Sequence, residues 1–360
     1  MKKVLSSPGK FVVGSNVLDD LGGYLKAYGD KALLVALPED AQRVQSALDK
    51  VSGAGVELLS APFGGECSQR EIDRLGELCK TSGAKVVVGL GGGKAIDTAK
   101  GVSHFQSLPL VVVPTIAASD APCSTLIILY NDVHAMCGFL KLPKNPDIVL
   151  ADTEVISKAP VRFLVAGLGD AFATYFEARV CMATNATNYV GGKATNAAWA
   201  LARLCHETLL EDGPKAIAAC KAKIVTPALE NIVEANILLS GLGFESVGCA
   251  AAHALHNALT AIEDTHMAMH GEKVAIGLLA QLVMENAPSE EMRTVMDFYR
   301  KTGLPMTLAE IGIQEDVDQK LHIVAEAAAK QGAMQNHPFE PTEELIFHAL
   351  KSVDSLKELY

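Results

Sequence analysis

The sequence predicts an N-terminal α/β domain built on a mainly parallel sheet, followed by an all-α C-terminal domain. Three observations carry this. Short β-branched runs alternate with amphipathic stretches over the first half, strand-like runs nearly vanish after Pro160, and long Ala/Leu-rich segments with helical spacing take over. The buried-strand candidates are "KALLVAL" (31–37), "GVELLSAPF" (55–63), "AKVVVGLG" (84–91) and "LPLVVVPT" (108–115). Between them "EDAQRVQSALDKVSG" and "SQREIDRLGELCKTSG" read as helices closing on glycine. "STLIILYNDVHAMCGFLKL" suggests strands joined by a hairpin, and "DIVLADTEVI" one strand more. Right-handed crossovers then give a Rossmann-like domain over 1–160 and a helical domain over 161–360.

Composition narrows the partners. With 31 basic and 42 acidic residues the formal charge is −11, and no long basic run exists. That argues against nucleic acid or an anionic membrane as the main partner. The eight cysteines form no C-x-x-C pair and read as reduced thiols. "MKKVLSSPGKF" breaks before any apolar run, so no signal peptide is expected, and Asp120, Asp170 and Glu245 interrupt the most apolar stretches. The expectation is a soluble, cytoplasmic protein in which the "NAT" at Asn185 has no use.

The stretch "GLGGGKAID" leaves a strand and opens a helix. Glycines there permit a tight turn and close approach to a pyrophosphate at the positive end of the helix. It fits neither usual template. The third glycine of G-x-G-x-x-G falls on Lys94, and a P-loop needs glycine at Val88 and Ser or Thr at Ala95. By itself such a turn is as often structural as phosphate-binding. A second loop, "PTIAASDAPCS", follows the next strand and brings Thr115, Ser119, Asp120 and Ser124 to the same sheet edge. Two such loops favour a pocket over an ordinary turn.

A different anomaly sits in the second half. Asp170 lies in the apolar "RFLVAGLGDAFATYF", where an unpaired buried carboxylate needs a partner, a proton or a metal, unless it caps a helix N-terminus after "GLG". His253 and His256, three apart in "GCAAAHALHNALTAI", share one helix face, and His270 opens "HGEKVAIGLLAQL". One histidine on an apolar face is more often a core residue. An aspartate and histidines on three helices point instead to a Zn²⁺ or Fe²⁺ site with an open position.

Together these segments resemble the glycerol dehydrogenase branch of the metal-dependent (group III, "iron-containing") alcohol dehydrogenases. The resemblance runs in order through "SPGK", "APFGGECSQ", "GGGKAIDTAK", "PTIAASDAPCS", "GLGDAFATYFEAR", "VTPALE", "VEAN", "SGLGFES", "AAAHALHNALTA" and "HGEKVAIG". It implies a dehydroquinate synthase-like fold and a homo-oligomer. It also implies a pyrophosphate on Gly92, Gly93, Lys94 and Asp97, with Thr115, Ala118, Ser124, Leu126 and Tyr130 lining the rest of the cofactor site. Asp170, His253 and His270 match the metal ligands, Asp120 a polyol contact, and Phe244 the wall of the substrate pocket.

The implied reaction is reversible oxidation of glycerol, or a similar vicinal diol, to dihydroxyacetone with NAD. Asp120 orients the second hydroxyl, and His256 either relays a proton or packs behind the ligands. Thr174 stands where iron members carry a fourth ligand, a histidine, which favours Zn²⁺ over Fe²⁺. Relatives carry Asp at the end of the strand "KALLVAL", whereas this chain has Leu37 followed by Pro38, Glu39 and Asp40. Glu39 is a possible substitute, and NADP becomes a candidate beside NAD. The loop over 131–143 is unusual and bears on substrate range. A dehydroquinate-synthase-like lyase, or an enzyme acting on glycerol 1-phosphate, needs more basic residues than Arg162 and Lys273 near the ligands.

Overall fold

The computed structural model describes residues 1–131 and 136–360. Eight strands are present among them: β1 (Lys10–Gly14), β2 (Lys31–Ala36), β3 (Glu57–Pro62), β4 (Val86–Gly91), β5 (Leu110–Pro114), β6 (Leu126–Tyr130), β7 (Met136–Lys141) and β8 (Ile148–Asp152). The helices of the first half are α1 (Leu21–Lys26), α2 (Pro38–Arg43), α3 (Gln45–Val51), α4 (Gln69–Ser82), α5 (Gly93–Gln106) and α6 (Thr153–Ser157). The second half carries α7 (Val161–Thr184), α8 (Asn196–Ala222), α9 (Pro227–Glu234), α10 (Ser240–Val247), α11 (Ala251–Leu259), α12 (His270–Met284), α13 (Ser289–Thr302), α14 (Val317–Ala329) and α15 (Glu343–Leu359). Two compact units result. One comprises residues 6–161 and 218–241, the other residues 1–5, 162–217 and 242–360.

In the α/β unit six strands form a parallel sheet in the order β1-β8-β5-β4-β2-β3. β2, β4, β5 and β8 are buried almost throughout, as continuous Val/Leu/Ala runs covered on both faces must be. From β2 the chain steps outward to β3, then returns to build β4 and β5 on the opposite side. The crevice beyond the carboxyl ends of β2 and β4 is therefore a topological switch point, the usual ligand position in such sheets. Register places Gly91 opposite Pro114, so the loops leaving β4 and β5 lie side by side. β6 and β7 form a separate antiparallel pair with an irregularity at Leu129/Tyr130. Within the unusual loop over 131–143, positions 132–135 lie outside the described residues.

Two elements differ from the sequence expectation. The helix expected over 39–53 is two, because Val44 leaves helical geometry at φ −117° and ψ 16°. β1 was not expected, and its "KFVVG" pairs with β8 at the sheet edge with only partial burial. The other unit is helical, with Ala178, Cys181, Ala198, Ala202 and Val247 forming a small-residue core under Trp199. Among the described residues no single helix is long and apolar enough to cross a membrane. Seven cysteines are buried, and Cys137 on β7 is exposed.

Candidate metal centre and dinucleotide loop

Asp170 does not cap a helix. It sits in the interior of the 24-residue α7 and is 1% exposed. Its Oδ1 lies 3.2 Å from His253 Nε2 on α11 and 3.1 Å from His270 Nε2 on α12. One ligand atom from each of the three falls within 4.8 Å of the others. Close backbone contact lets the helices meet there. A Cβ at Gly271, next to His270, would fall 1.7 Å from the Ala166 carbonyl oxygen of α7. At Gly277 it would fall 2.4 Å from the Ala252 oxygen, one residue before His253. Any side chain at either position pushes a ligand-bearing helix away.

The sequence reading missed Glu177, two turns after Asp170 on α7 and fully buried. Its Oε2 accepts from His253 Nδ1 at 2.5 Å, and its Oε1 accepts from the backbone N–H of Ala250 and His253 at 2.8 and 2.9 Å. A proton fixed on Nδ1 makes Nε2 the ring atom that turns to Asp170 and the one a metal would take in exchange for its proton. His256 serves His270 similarly, with 2.9 Å between its Nε2 and His270 Nδ1. Burial, reinforced by His270, holds His256 well below the ordinary imidazole range. His256 is therefore neutral and accepts from His270 Nδ1–H. Burial disfavours charge on both His253 and Asp170 but is outweighed. Glu177 raises the imidazole, and the facing imidazoles of His270 and His253 lower the carboxyl.

These residues fit a divalent cation. Among the described residues Asp170 Oδ2 is buried without a hydrogen-bond partner, and one carboxylate converging with two imidazole Nε2 atoms is a donor set that a divalent metal would complete on displacing their protons. Thr174, one turn after Asp170, is buried and offers no imidazole or carboxylate. Glu177, Cys249 and His253 also meet closely enough to hold an ion, but burial keeps the Cys249 thiol protonated and Glu177 is committed to backbone donors. A cavity of about 640 Å³ lined by Tyr175, Phe176, Arg179, His206 and Glu285 contains none of the three ligands. Arg162 is held by Glu272 through two contacts of 2.8 and 2.7 Å, and Lys273 is buried.

In the α/β unit, Gly91 has φ +139°, and Gly92 is the N-cap of α5 with no side-chain cap. The first amides of a 14-residue helix are left for an anion, as a pyrophosphate loop requires. Lys94 opens the helix, 2.8 Å from Glu66 and stacked over Tyr130 at 4.7 Å. Asp97 is buried deeper than expected. It pairs with Lys100 at 3.0 Å and accepts from the Ile128 N–H at 3.0 Å, and burial raises its pKa against the opposing Lys100. Lys100, passed over in the sequence, also donates to Ser124 Oγ at 3.2 Å and to the Leu126 carbonyl at 2.9 Å. Three expected cofactor residues are thus tied to one buried ammonium.

Thr115 follows the end of β5 and donates to Asp40 at 2.9 Å, while Ala118 is half-buried in the same loop. Asp120 is buried and accepts from Ser240 Oγ at 2.7 Å. Phe244, on α10 in the helical unit, packs edge-on against Tyr189 in the turn between α7 and α8. Leu37 is the extended N-cap of α2, and Glu39 is exposed. Asp40, not Glu39, turns toward the glycine loop.

Comparison with known proteins agrees with this geometry. Residues 8–153 match the family model for iron-containing alcohol dehydrogenase. A glycerol dehydrogenase of Escherichia coli O6:H1 is 49% identical over 356 residues, 98% of this chain and 97% of its own. Among solved structures, a probable glycerol dehydrogenase from Sinorhizobium meliloti 1021 superposes with a TM-score of 0.94 at 40% identity, covering 100% of both chains. Glycerol dehydrogenase from Schizosaccharomyces pombe does so with a TM-score of 0.95 at 37% identity, covering 99% of this chain and 92% of that one. A triad of Asp170, His253 and His270 close enough to hold a metal, an uncapped glycine loop at a switch point and full-length similarity at this level have one explanation: the chain belongs to the iron-containing alcohol dehydrogenase family.

Proposed function

We propose that this chain catalyses the reversible, NAD-linked oxidation of glycerol, or a closely similar vicinal diol, to the corresponding hydroxyketone, with Zn²⁺ as the working metal. The observation that carries the reading is Asp170 Oδ2, buried and unpartnered beside two imidazoles whose outer nitrogens are held by Glu177 and His256. Two histidines and one carboxylate, with Thr174 in place of a further histidine, favour zinc with an open position. A metal held there would lower the pKa of a secondary hydroxyl, whose proton would pass to water, and a bound nicotinamide would take up the hydride.

The chain's own residues do the rest. Asp170, His253 and His270 hold the metal. Glu177 keeps the His253 proton on Nδ1, and His256 takes the hydrogen bond from His270 Nδ1, so both Nε2 atoms stay free as ligands. His256 is on this account a positioning residue, a neutral ring that accepts on Nε2 and keeps its one proton on Nδ1 toward Asn257 Oδ1. Gly92, Gly93 and Lys94 cradle the pyrophosphate, and Lys100 fixes Asp97, Ser124 and the Leu126 carbonyl beneath it. Asp120, oriented by Ser240, accepts from a second substrate hydroxyl and gives diol preference. A phosphorylated substrate is disfavoured because Arg162 is already engaged by Glu272. The glycerol dehydrogenase relatives support the substrate, and the buried thiols support a cytoplasmic location.

The test is metal analysis of the purified protein, followed by nicotinamide reduction with glycerol before and after chelation. Loss on chelation and recovery with zinc is the expected result. Turnover that survives removal of the metal overturns the reading.

A further inference from the structure

We infer that Asp40 is the residue that selects the cofactor's adenosine ribose, so that this chain prefers NAD to NADP without an acidic residue at position 37. The inference rests on the dinucleotide reading of the glycine loop.

Position is the first observation. β2 and β4 diverge at the switch point, and Asp40 lies just past the carboxyl end of β2. In folds of this kind an acidic group beside that crevice accepts from the ribose 2′-hydroxyl, whereas an arginine there accommodates a 2′-phosphate. Both residue types are present within one turn of helix, as Asp40 and Arg43. The hydrogen bonds decide between them.

Asp40 Oδ1 is committed, accepting from Thr115 Oγ1 at 2.9 Å and from Arg43 Nη1 at 3.3 Å. Its Oδ2 leans over the glycine loop, 2.9 Å from where a Cβ of Gly91 would be, and takes no hydrogen bond from any described residue. That oxygen remains as an acceptor. Arg43 is the reverse case. Nη1 is on Asp40, and Nη2 donates to the carbonyls of Thr115 and Val155, each at 3.2 Å. A 2′-phosphate would thus meet a carboxylate directly and an arginine whose Nη atoms are already engaged. Leu37 and Glu39 cannot serve, because Leu37 carries no acceptor and Glu39 points to solvent.

The experiment is calorimetric titration of NAD and NADP into the zinc-loaded protein, as wild type, Asp40→Asn, Asp40→Ser and Asp40→Asn/Arg43→Ala. Wild type is expected to bind NAD more tightly. Asp40→Asn keeps the contact to Thr115 but removes the charge, and should weaken NAD about tenfold while tightening NADP, as loss of a charge-assisted hydrogen bond predicts. Adding Arg43→Ala should reverse the NADP gain. Asp40→Ser controls for the residual acceptor of asparagine and should lose NAD affinity at least as far. An NAD-to-NADP ratio within about twofold of wild type in both single variants overturns the inference, as does a wild type that prefers NADP. If wild type binds neither nucleotide, the dinucleotide reading fails and takes the inference with it.

Discussion

Glu177 Oε2 sits 2.5 Å from His253 Nδ1, on the side of the ring opposite Asp170. Removing this partner frees the ring to rotate and to carry its proton on either nitrogen. Glu177→Gln should lower metal affinity by about 10- to 100-fold, the usual cost of losing such a support. Competition against a chelator of known affinity measures it. Affinity within about twofold of wild type would show that α11 alone orients His253.

Gly271→Ala tests the helix contact rather than the ligands. The new methyl would overlap the Ala166 carbonyl, so α7 and α12 must separate. The variant should be destabilised by about 1–3 kcal/mol, melt at a lower temperature, and hold substoichiometric metal although all three candidate ligands are intact. Thermal denaturation with metal analysis gives both readings.

Lys100→Met should be more damaging than its place outside the metal centre suggests. It leaves Asp97 buried and uncompensated, a change that costs about 3–5 kcal/mol. Lys100→Met/Asp97→Asn should recover part of that loss while staying weak in dinucleotide binding, because Ser124 and Leu126 remain untied. Urea midpoints for the two single variants and the double variant close the cycle.

The acid side of the stability profile has named contributors. Burial pushes His206 and His337 down to about 4, so the folded protein keeps both neutral where the unfolded chain protonates near 6.5. Between those values the unfolded state binds more protons, and stability must fall as pH drops from about 6.5 toward about 4. Urea midpoints at pH 7, 6 and 5 should decline in that order, and His206→Phe should flatten the slope.

The sheet was legible where strands are buried on both faces. "KALLVA", "VVVGLG" and "LVVVP" are continuous apolar runs, and each forms a strand within a residue or two of its expected place. β1 was not, because "KFVVG" is a half-buried edge strand closed by β8, far along the chain. Asp170 and the histidines stood out as polar residues in apolar helices. Glu177 did not, since "FEAR" reads as a surface Glu/Arg pair. Its only signal was the seven-residue spacing from Asp170, which shares a helix face. Asp40 was hidden for another reason. Its place comes from the turn of α2 toward Gly91 at the end of β4, a contact that the order β4-β2 in the sheet sets and local sequence does not.

Cysteine placement has a practical consequence. A maleimide dye added to the folded, unmodified protein has one accessible thiol, Cys137, and that thiol sits on the hairpin partner of the strand bearing Leu126 and Tyr130. The protein comes with its own labelling position, so fluorescence from a single attached probe tests the proposed nucleotide site without any cysteine being engineered in or out.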